Sequence, residues 1–239
     1  MPGLIHQLSE DARIDLLENI VSTYITKDIK GLIKEENIRS FNSLLYLLAQ
    51  SQGSMVVVSN LARETGQREI TVARYLEIIS QTYVMNVLPS FSQNSANELK
   101  KSKKYYLFDL GIRNMLLKDF RPVDKRDDKG CVYESAIFLH LLPQLKPNME
   151  LRFWRTKKGD EVDFILLKNR VPIPIEVKSN LSSPEVPKGV RKFMDKYQKA
   201  PFGIVFNENI RKVVKIDNKP IYFKLWTDVL KLDFLKTVV

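Results

Sequence analysis

Apolar residues recur at helical spacing through residues 8–50. Leu16, Ile20 and Tyr24 form one stripe, and Phe41, Leu44, Leu45 and Leu48 form a second. Ser51-Gln52-Gly53 closes the second helix. Ser59 is placed to cap a short helix over 60–65, Gly66 turns the chain, and a longer helix follows from about 68 to 81. In that helix Val72, Leu76 and Ile79 share the inner face, leaving Arg68, Thr71, Arg74 and Tyr75 for the outer one. Two β-prone runs, 83–89 and 104–108, flank a polar stretch rich in Ser, Asn and Lys, the pattern of a long hairpin.

Three helices and a basic hairpin predict a winged helix, a helix-turn-helix variant whose second motif helix enters the major groove of DNA. Arg68, Thr71 and Arg74 are then the groove candidates. Lys100, Lys101, Lys103 and Lys104, which crowd the return strand, are the wing candidates. Winged helices also serve as dimerisation and interdomain modules, and Glu69 and Glu77 lie on the same helix, so both uses stay open.

Residues 118–129 are charged and almost without apolar side chains, which predicts a linker between a domain over 1–121 and another over 130–239. From Gly130 the pattern becomes helix (131–142), strands (151–156, 162–168, 173–179), helix (187–198) and strand (202–207). Short strands at 212–216 and 221–226 and a helix near 228–237 complete an α/β order, α-β-β-β-α-β with additions.

Composition narrows the function classes. The 239 residues suit two modest cores. No apolar run approaches the ~20 residues that span a bilayer, and the first residues lack a basic segment followed by an apolar one, so neither a membrane span nor secretion is expected. Cys131 is the single cysteine and His6 and His140 are the only histidines, which excludes an internal disulfide and a Cys/His zinc cluster and points to a reducing, cytoplasmic setting. His140 and Cys131 read as structural residues. The net charge is +10: 17 basic and 14 acidic groups lie in residues 1–126, against 21 and 14 in residues 127–239. The excess favours a polyanionic partner, DNA, most of all for the C-terminal half. There Lys188, Arg191, Lys192, Lys196 and Lys199 cluster in and just after one helix, where a solvated surface is the default.

Charges also interrupt the strands of that half. Strict alternation puts Asp163 on one face with Ile165 and Leu167, and Glu176 on one face with Lys178. A buried carboxylate has to be paired, solvated or bound to a metal. Asp163 and Glu176, on adjacent strands, could converge on a hard cation such as Mg²⁺ or Mn²⁺, with water and phosphate oxygens filling its shell. Lys178 could offset charge on an attacking hydroxide or on phosphorus, or simply pair with the acids. Glu134 opens the preceding helix along the stripe of Ile137, Phe138 and Leu141, a position that also suits a first-turn acid favoured by the helix dipole. Arg155, just before a hairpin, could contact phosphate.

Glu134, Asp163 and Glu176-Val177-Lys178 in this order resemble the PD-(D/E)XK nuclease superfamily, with Val162 in place of the proline. More widely, Tyr-Ile-Thr-Lys-Asp (24–28), residues 71–76, Tyr-Leu-Phe-Asp-Leu-Gly (106–111), Tyr133-Glu134, Trp154-Arg155, residues 161–164 and 176–179 resemble the C-terminal region of bacterial and archaeal AAA+-type ATPases. There a winged helix precedes a nuclease-like domain. The resemblance implies a restriction-endonuclease-like fold with a mixed sheet. It also implies Asp163, Glu176 and Glu134 as metal ligands, Lys178 as a catalytic partner, and an ATPase that acts in trans or is missing from this chain, since no phosphate-binding Gly-x-x-x-x-Gly-Lys motif occurs. Pro172 and Pro174 require the first half of the Glu176 strand to lie at an edge or bend. The expected function is DNA binding with Mg²⁺-dependent phosphodiester hydrolysis. The alternative is a non-catalytic DNA-binding or regulatory module of an ATPase that keeps the nuclease fold as scaffold.

Overall fold

The structure, a computed structural model, describes residues 9–29, 31–33, 37–92, 103–231 and 234–238; Lys100, Lys101 and His6 lie outside them. The chain forms two compact units, Met1–Val87 with Lys104–Pro122 and Leu88–Lys103 with Val123–Val239. Among the described residues no helix is long and apolar enough to cross a membrane.

In the first unit α1 (Glu10–Thr23) is capped by Ser9, whose Oγ accepts the Ala12 N–H at 3.1 Å, and continues into a π-helical stretch, Tyr24–Ile29. Then follow α2 (Ile38–Gln50), β1 (Met55–Val56), α3 (Val58–Thr65), α4 (Glu69–Gln81), β2 (Met85–Pro89), β3 (Lys103–Leu107) and α5 (Leu110–Leu117). The three strands pair in the order β1-β3-β2, which with α2, α3 and α4 makes the winged helix. Phe41, Leu44, Leu45, Leu48, Val72, Leu76 and Ile79 meet in one buried core, each stabilising the fold by roughly 1.5–3 kcal/mol through area removed from water. Asp109 Oδ1 accepts the N–H groups of Gly111 and Ile112 at 2.7 and 3.2 Å, so the 106–111 motif is a strand end followed by a helix cap.

Three expectations change here. The short helix begins at Val58 with Val57 at its N-cap, so Ser59 lies inside the first turn. Tyr75 is 3% exposed and meets Phe41 edge-on at 5.5 Å, so it belongs to the core; its phenol is pushed up by burial. Lys104 is 2% exposed, which removes it from any solvent-facing row of wing lysines, whereas Lys103 is exposed. The outward residues of α4 are Glu69, Ile70, Ala73, Arg74 and Glu77, a surface of mixed charge with an isoleucine 78% exposed.

The second unit holds α6 (Lys129–Leu141), β4 (Met149–Arg155), β5 (Glu161–Lys168), β6 (Val171–Val177), α7 (Lys188–Lys196), β7 (Gly203–Asn207), β8 (Lys212–Ile216), β9 (Lys219–Leu225) and α8 (Phe234–Val238). Its six-stranded sheet has the order β4-β5-β6-β7-β9-β8. The pairs β4–β5, β5–β6 and β8–β9 are antiparallel, and β6–β7 and β7–β9 are parallel, giving the mixed α/β sheet expected. Val190, Phe193 and Met194 of α7 share a core with Trp154, Val162, Ile165 and Val205, while Phe138 of α6 stacks on Phe164 at 5.9 Å. Trp154 is therefore a core residue, its Nε1–H donating to Tyr197 Oη at 3.2 Å. Phe91 joins this core and donates its N–H to Phe153 O at 2.6 Å.

The expected linker carries structure: Val123–Lys125 is a 3-10 turn, and buried Arg126 forms a bidentate pair with Asp128 at 2.8 and 2.7 Å. The predicted last helix is instead a 3-10 turn, Trp226–Leu230, followed by α8. The prolines of β6 sit as expected. The parallel ladder to β7 starts only at Ile175, so the first half of β6 has β5 alone as its partner and the missing N–H groups of Pro172 and Pro174 leave β7 no bond to lose.

Helix α7 lies directly on β5: a Cβ added at Gly189 would stand 1.8 Å from the Glu161 carbonyl oxygen. Backbone cannot yield that distance locally, so Gly189→Ala should destabilise the protein by ~3 kcal/mol. Urea unfolding of the variant beside Gly130→Ala, where a Cβ meets nothing within 4 Å, checks this.

Candidate active site

The site begins with a fault in the β4–β5 ladder. Arg152 pairs with Ile165 and Trp154 with Val162, so Phe153 alone opposes two residues, Asp163 and Phe164. This is a β-bulge, which bends its strand and re-aims a side chain. Strict alternation fails accordingly. Val162 and Ile165, three apart, both enter the α7-side core, and Phe164 turns to α6. The sequence expectation that Asp163 follows Ile165 and Leu167 in one unbroken alternation is thus corrected, because the extra residue resets the period at Asp163.

The β5–β6 ladder ends one step before the carboxylates, at Phe164 opposite Ile175. Beyond it side chains take over from the backbone. Asp163 Oδ2 accepts the Val177 N–H at 2.8 Å, and Glu176 Oε2 accepts the Asp163 N–H at a long 3.4 Å. Each carboxylate thus caps the other's strand. On the far side Glu176 and Val177 pair with Val205 and Phe206, and the Lys178 N–H reaches Phe206 O at 2.9 Å, so β7 fixes the Glu176-Val177-Lys178 run. Lys178 Nζ lies 2.5 Å from Glu176 Oε1.

The charges oppose one another in a small volume. Glu176 is 5% exposed; burial and then the Asp163 charge push its carboxyl up to about 8, outweighing the pull of the Lys178 ammonium. For Lys178 burial pulls the other way, yet the negative fields of Glu176, Asp163 and Glu134 hold its ammonium above the usual lysine value. Glu134 therefore belongs to the same electrostatic site. Its neighbour Tyr133 donates to Glu208 Oε1 at 2.6 Å, and Lys129 stands 2.9 Å from the same oxygen, tying the start of α6 to the end of β7. Burial and the Glu208 carboxylate push the Tyr133 phenol up to about 12.

Three residues outside the sequence reading organise this region. Glu208 anchors Tyr133. Asn207, almost fully buried, accepts the N–H groups of Asn209 and Ile210 at 3.0 and 2.6 Å and shapes the turn after β7. Asp160 binds Lys192 and Lys188 at 2.6 and 3.4 Å, which fastens the β4–β5 hairpin to α7 and holds its carboxyl below the usual range. Their signal, an isolated polar residue beside a strand, is too common to separate from ordinary loop chemistry. Of the remaining candidates, Arg155 pairs with Glu161 at 3.0 Å, Arg68 is the exposed N-cap residue of α4, Thr71 is half-buried, and exposed Arg74 donates to Leu32 O at 3.3 Å. His140 turns Nδ1 to the Ala136 carbonyl at 2.8 Å, a helix-surface contact.

Among the described residues no three His, Cys, Asp or Glu side chains are grouped to hold a metal ion. Of the expected set Asp163, Glu176 and Glu134, the first two meet through their hydrogen bonds and the charge of Glu134 acts on Lys178 beside them. Glu134 rises from α6, whereas the pair is drawn together by the hydrogen bonds of two strands. A pair of carboxylates still fits Mg²⁺ or Mn²⁺, which keep most of their shell as water or phosphate oxygens. The mutual repulsion that lifts the Glu176 carboxyl is what a divalent cation between the two would cancel.

Comparison with known proteins agrees with this two-part layout. Residues 129–226 match a Domain of unknown function (DUF4143), which covers the sheet and its carboxylates. An uncharacterized protein of Mycobacterium tuberculosis (strain ATCC 25618 / H37Rv) and one of Mycobacterium bovis (strain ATCC BAA-935 / AF2122/97) are each 24% identical over 191 residues, 79% of this chain and 43% of theirs. The chain thus spans less than half the length of these curated relatives. The longer of the two family matches is to the helical and winged-helix part: over residues 1–122 the chain belongs to the family of the Domain of unknown function (DUF8612).

Proposed function

We propose that the protein binds DNA and hydrolyses phosphodiester bonds with Mg²⁺ or Mn²⁺, working in the cytoplasm beside an ATPase supplied by another chain or by a longer form of its own. The observation that carries this reading is the meeting of Asp163, Glu176 and Lys178 at the end of the β5–β6 ladder, with the charge of Glu134 acting on Lys178. Asp163 and Glu176 would hold the ion. When bound, the ion would acidify a water and offset charge on the phosphoryl oxygens. Lys178, whose side chain is 42% exposed, offers its ammonium to the reacting phosphate, and Glu134 orients or deprotonates the nucleophile. The family resemblance noted from the sequence supports the ATPase association, and the single cysteine supports a reducing compartment.

A second reading has its own support. Asp163 and Glu176 already accept backbone N–H groups, so they have a structural use without metal, and the mixed charge of α4 suits a protein contact as well as DNA. In that reading the unit is a non-catalytic module of an ATPase.

The two diverge in three measurements. Calorimetry with Mn²⁺ should give saturable binding that Asp163→Asn abolishes. Cleavage of labelled DNA should fall by ~10³ in Asp163→Asn and Glu176→Gln, which keep acceptor oxygens for the strand N–H groups, and by ~10² in Lys178→Ala. Wild-type protein with no Mn²⁺ binding, or cleavage that survives Asp163→Asn, selects the scaffold. For DNA contact by α4, Arg68→Ala/Arg74→Ala should weaken binding uniformly and lower the salt slope by ~2. An unchanged slope moves DNA off that helix.

The raised Glu176 carboxyl also predicts a pH trend in chelator. A folded-state value above the ordinary 4.5 means its contribution to stability is fully present below pH ~4.5 and is lost as pH rises through about 8. Each tenfold difference in proton affinity is worth ~1.4 kcal/mol. Melting temperature should therefore decline from pH 5 to 8.5 in the wild type and stay flatter in Glu176→Gln. Equal slopes would show that Glu176 is not protonated by the fold.

A further inference from the structure

At the other end of the β5–β6 hairpin lies a cavity of about 570 Å³. Its charged lining is Arg152, Arg170, Lys196, Lys199 and a single acid, Glu150. Glu150 is committed to Arg152 at 2.6 Å. Arg170, Lys196 and Lys199 have no carboxylate partner among the described residues, whereas Lys188 and Lys192, earlier in α7, are taken by Asp160. Three cations thus line one concave surface with no carboxylate partner among the described residues, and an anion seated there would relieve their mutual repulsion.

The backbone gives a second, independent reason. Arg170 closes the β5–β6 hairpin with φ 64°, beside Asn169 at φ 50°, and the second position of such a turn favours glycine. The other tight hairpin of the sheet uses Asp217 and Asn218 at φ 47° and 64°, residue types that tolerate the left-handed region. An arginine in that conformation, where glycine would be less strained, sets a guanidinium on the rim of the cationic cavity.

We propose that this cavity is an anion site for phosphate esters, separate from the carboxylate pair. Leu167 and Pro172 in its lining stand four residues along their strands from Asp163 and Glu176, ~13 Å at 3.3 Å per residue, so one phosphate cannot serve both places. The site does not depend on the carboxylates being a nuclease centre. Its phosphate belongs to a nucleic-acid backbone or to a free nucleotide, and both supply the same tetrahedral oxyanion for Arg170 and Lys199.

The test measures binding in EDTA, where no hydrolysis occurs, so it stands whatever the carboxylates do. Anisotropy of a fluorescein-labelled oligothymidylate reports the polymer, and calorimetry with AMP reports the free nucleotide. Arg170→Ala/Lys199→Ala should weaken one of the two ligands by about tenfold, and for the oligonucleotide should reduce the salt slope by ~1.4. Lys157→Ala/Lys158→Ala removes the same charge from the exposed turn of the β4–β5 hairpin and should change binding less than twofold. Loss of the oligonucleotide alone assigns the backbone as source, and loss of AMP alone assigns the nucleotide. Arg170→Gly should raise the melting temperature by a few degrees while weakening the same ligand, which separates binding from folding. Equal weakening by the two double variants, or wild-type binding of both ligands in Arg170→Ala/Lys199→Ala, overturns the site.

Discussion

Two antiparallel strands can share a ladder only while each N–H finds a carbonyl opposite, and in the C-terminal unit that condition ends at Phe164 and Ile175. Past this point the chain has to satisfy its amides by other means or leave them buried and unpaired, at roughly 1–3 kcal/mol each. The Asp163 carboxylate takes the Val177 N–H, and Glu176 reaches back to the Asp163 N–H. Two acids are thereby drawn into one small volume by backbone requirements. Their mutual repulsion, the proximity of Lys178 and the field of Glu134 all follow from that placement.

Around this point the rest of the unit works as support. The bulge opposite Phe153 swings Asp163 out of the alternation of β5, and α7 presses on the strand just before it through Gly189, with Asp160 gripping Lys188 and Lys192 at the helix's first turns. From the opposite face α6 brings Glu134, held in place by the Tyr133–Glu208–Lys129 contacts at the end of β7. The charge of α7 is thus divided along its length. Its first lysines pair with Asp160, and Lys196 and Lys199, at and beyond its end, line a cavity and have no carboxylate partner among the described residues. Of the five basic groups in and after this helix, two pair with Asp160, two line the cavity, and Arg191 donates to the Val186 carbonyl.

The winged helix shows how far pattern alone carries. Its helices, the turn at Gly66 and the β2–β3 hairpin follow from apolar spacing, since 3.6-residue periodicity needs only the sequence to be visible. Tyr75 and Lys104 are buried where pattern alone puts them outside, and for a shared reason: both are amphipathic side chains whose long apolar parts can be buried, and the choice rests on neighbours, such as Phe41 for Tyr75, that arrive from elsewhere in the chain. Ser59 is not the cap because the helix begins at Val58 instead of at position 60, within the usual uncertainty of helix ends.

Order, spacing and charge sufficed to place Glu134, Asp163, Glu176 and Lys178 in an α-β-β-β-α-β unit and to mark its C-terminal half as basic, because those properties are local to each segment. Tertiary structure decided what local properties cannot hold. The bulge depends on how many residues of β4 face β5, and it takes Asp163 out of the alternation of its strand. Glu176 departs from ordinary carboxylate behaviour through burial beneath strands far apart in sequence. Likewise Glu208 meets Tyr133 across 75 positions. Alternation is a property of one strand, but register and burial are properties of pairs, and no single run of residues encodes its partner.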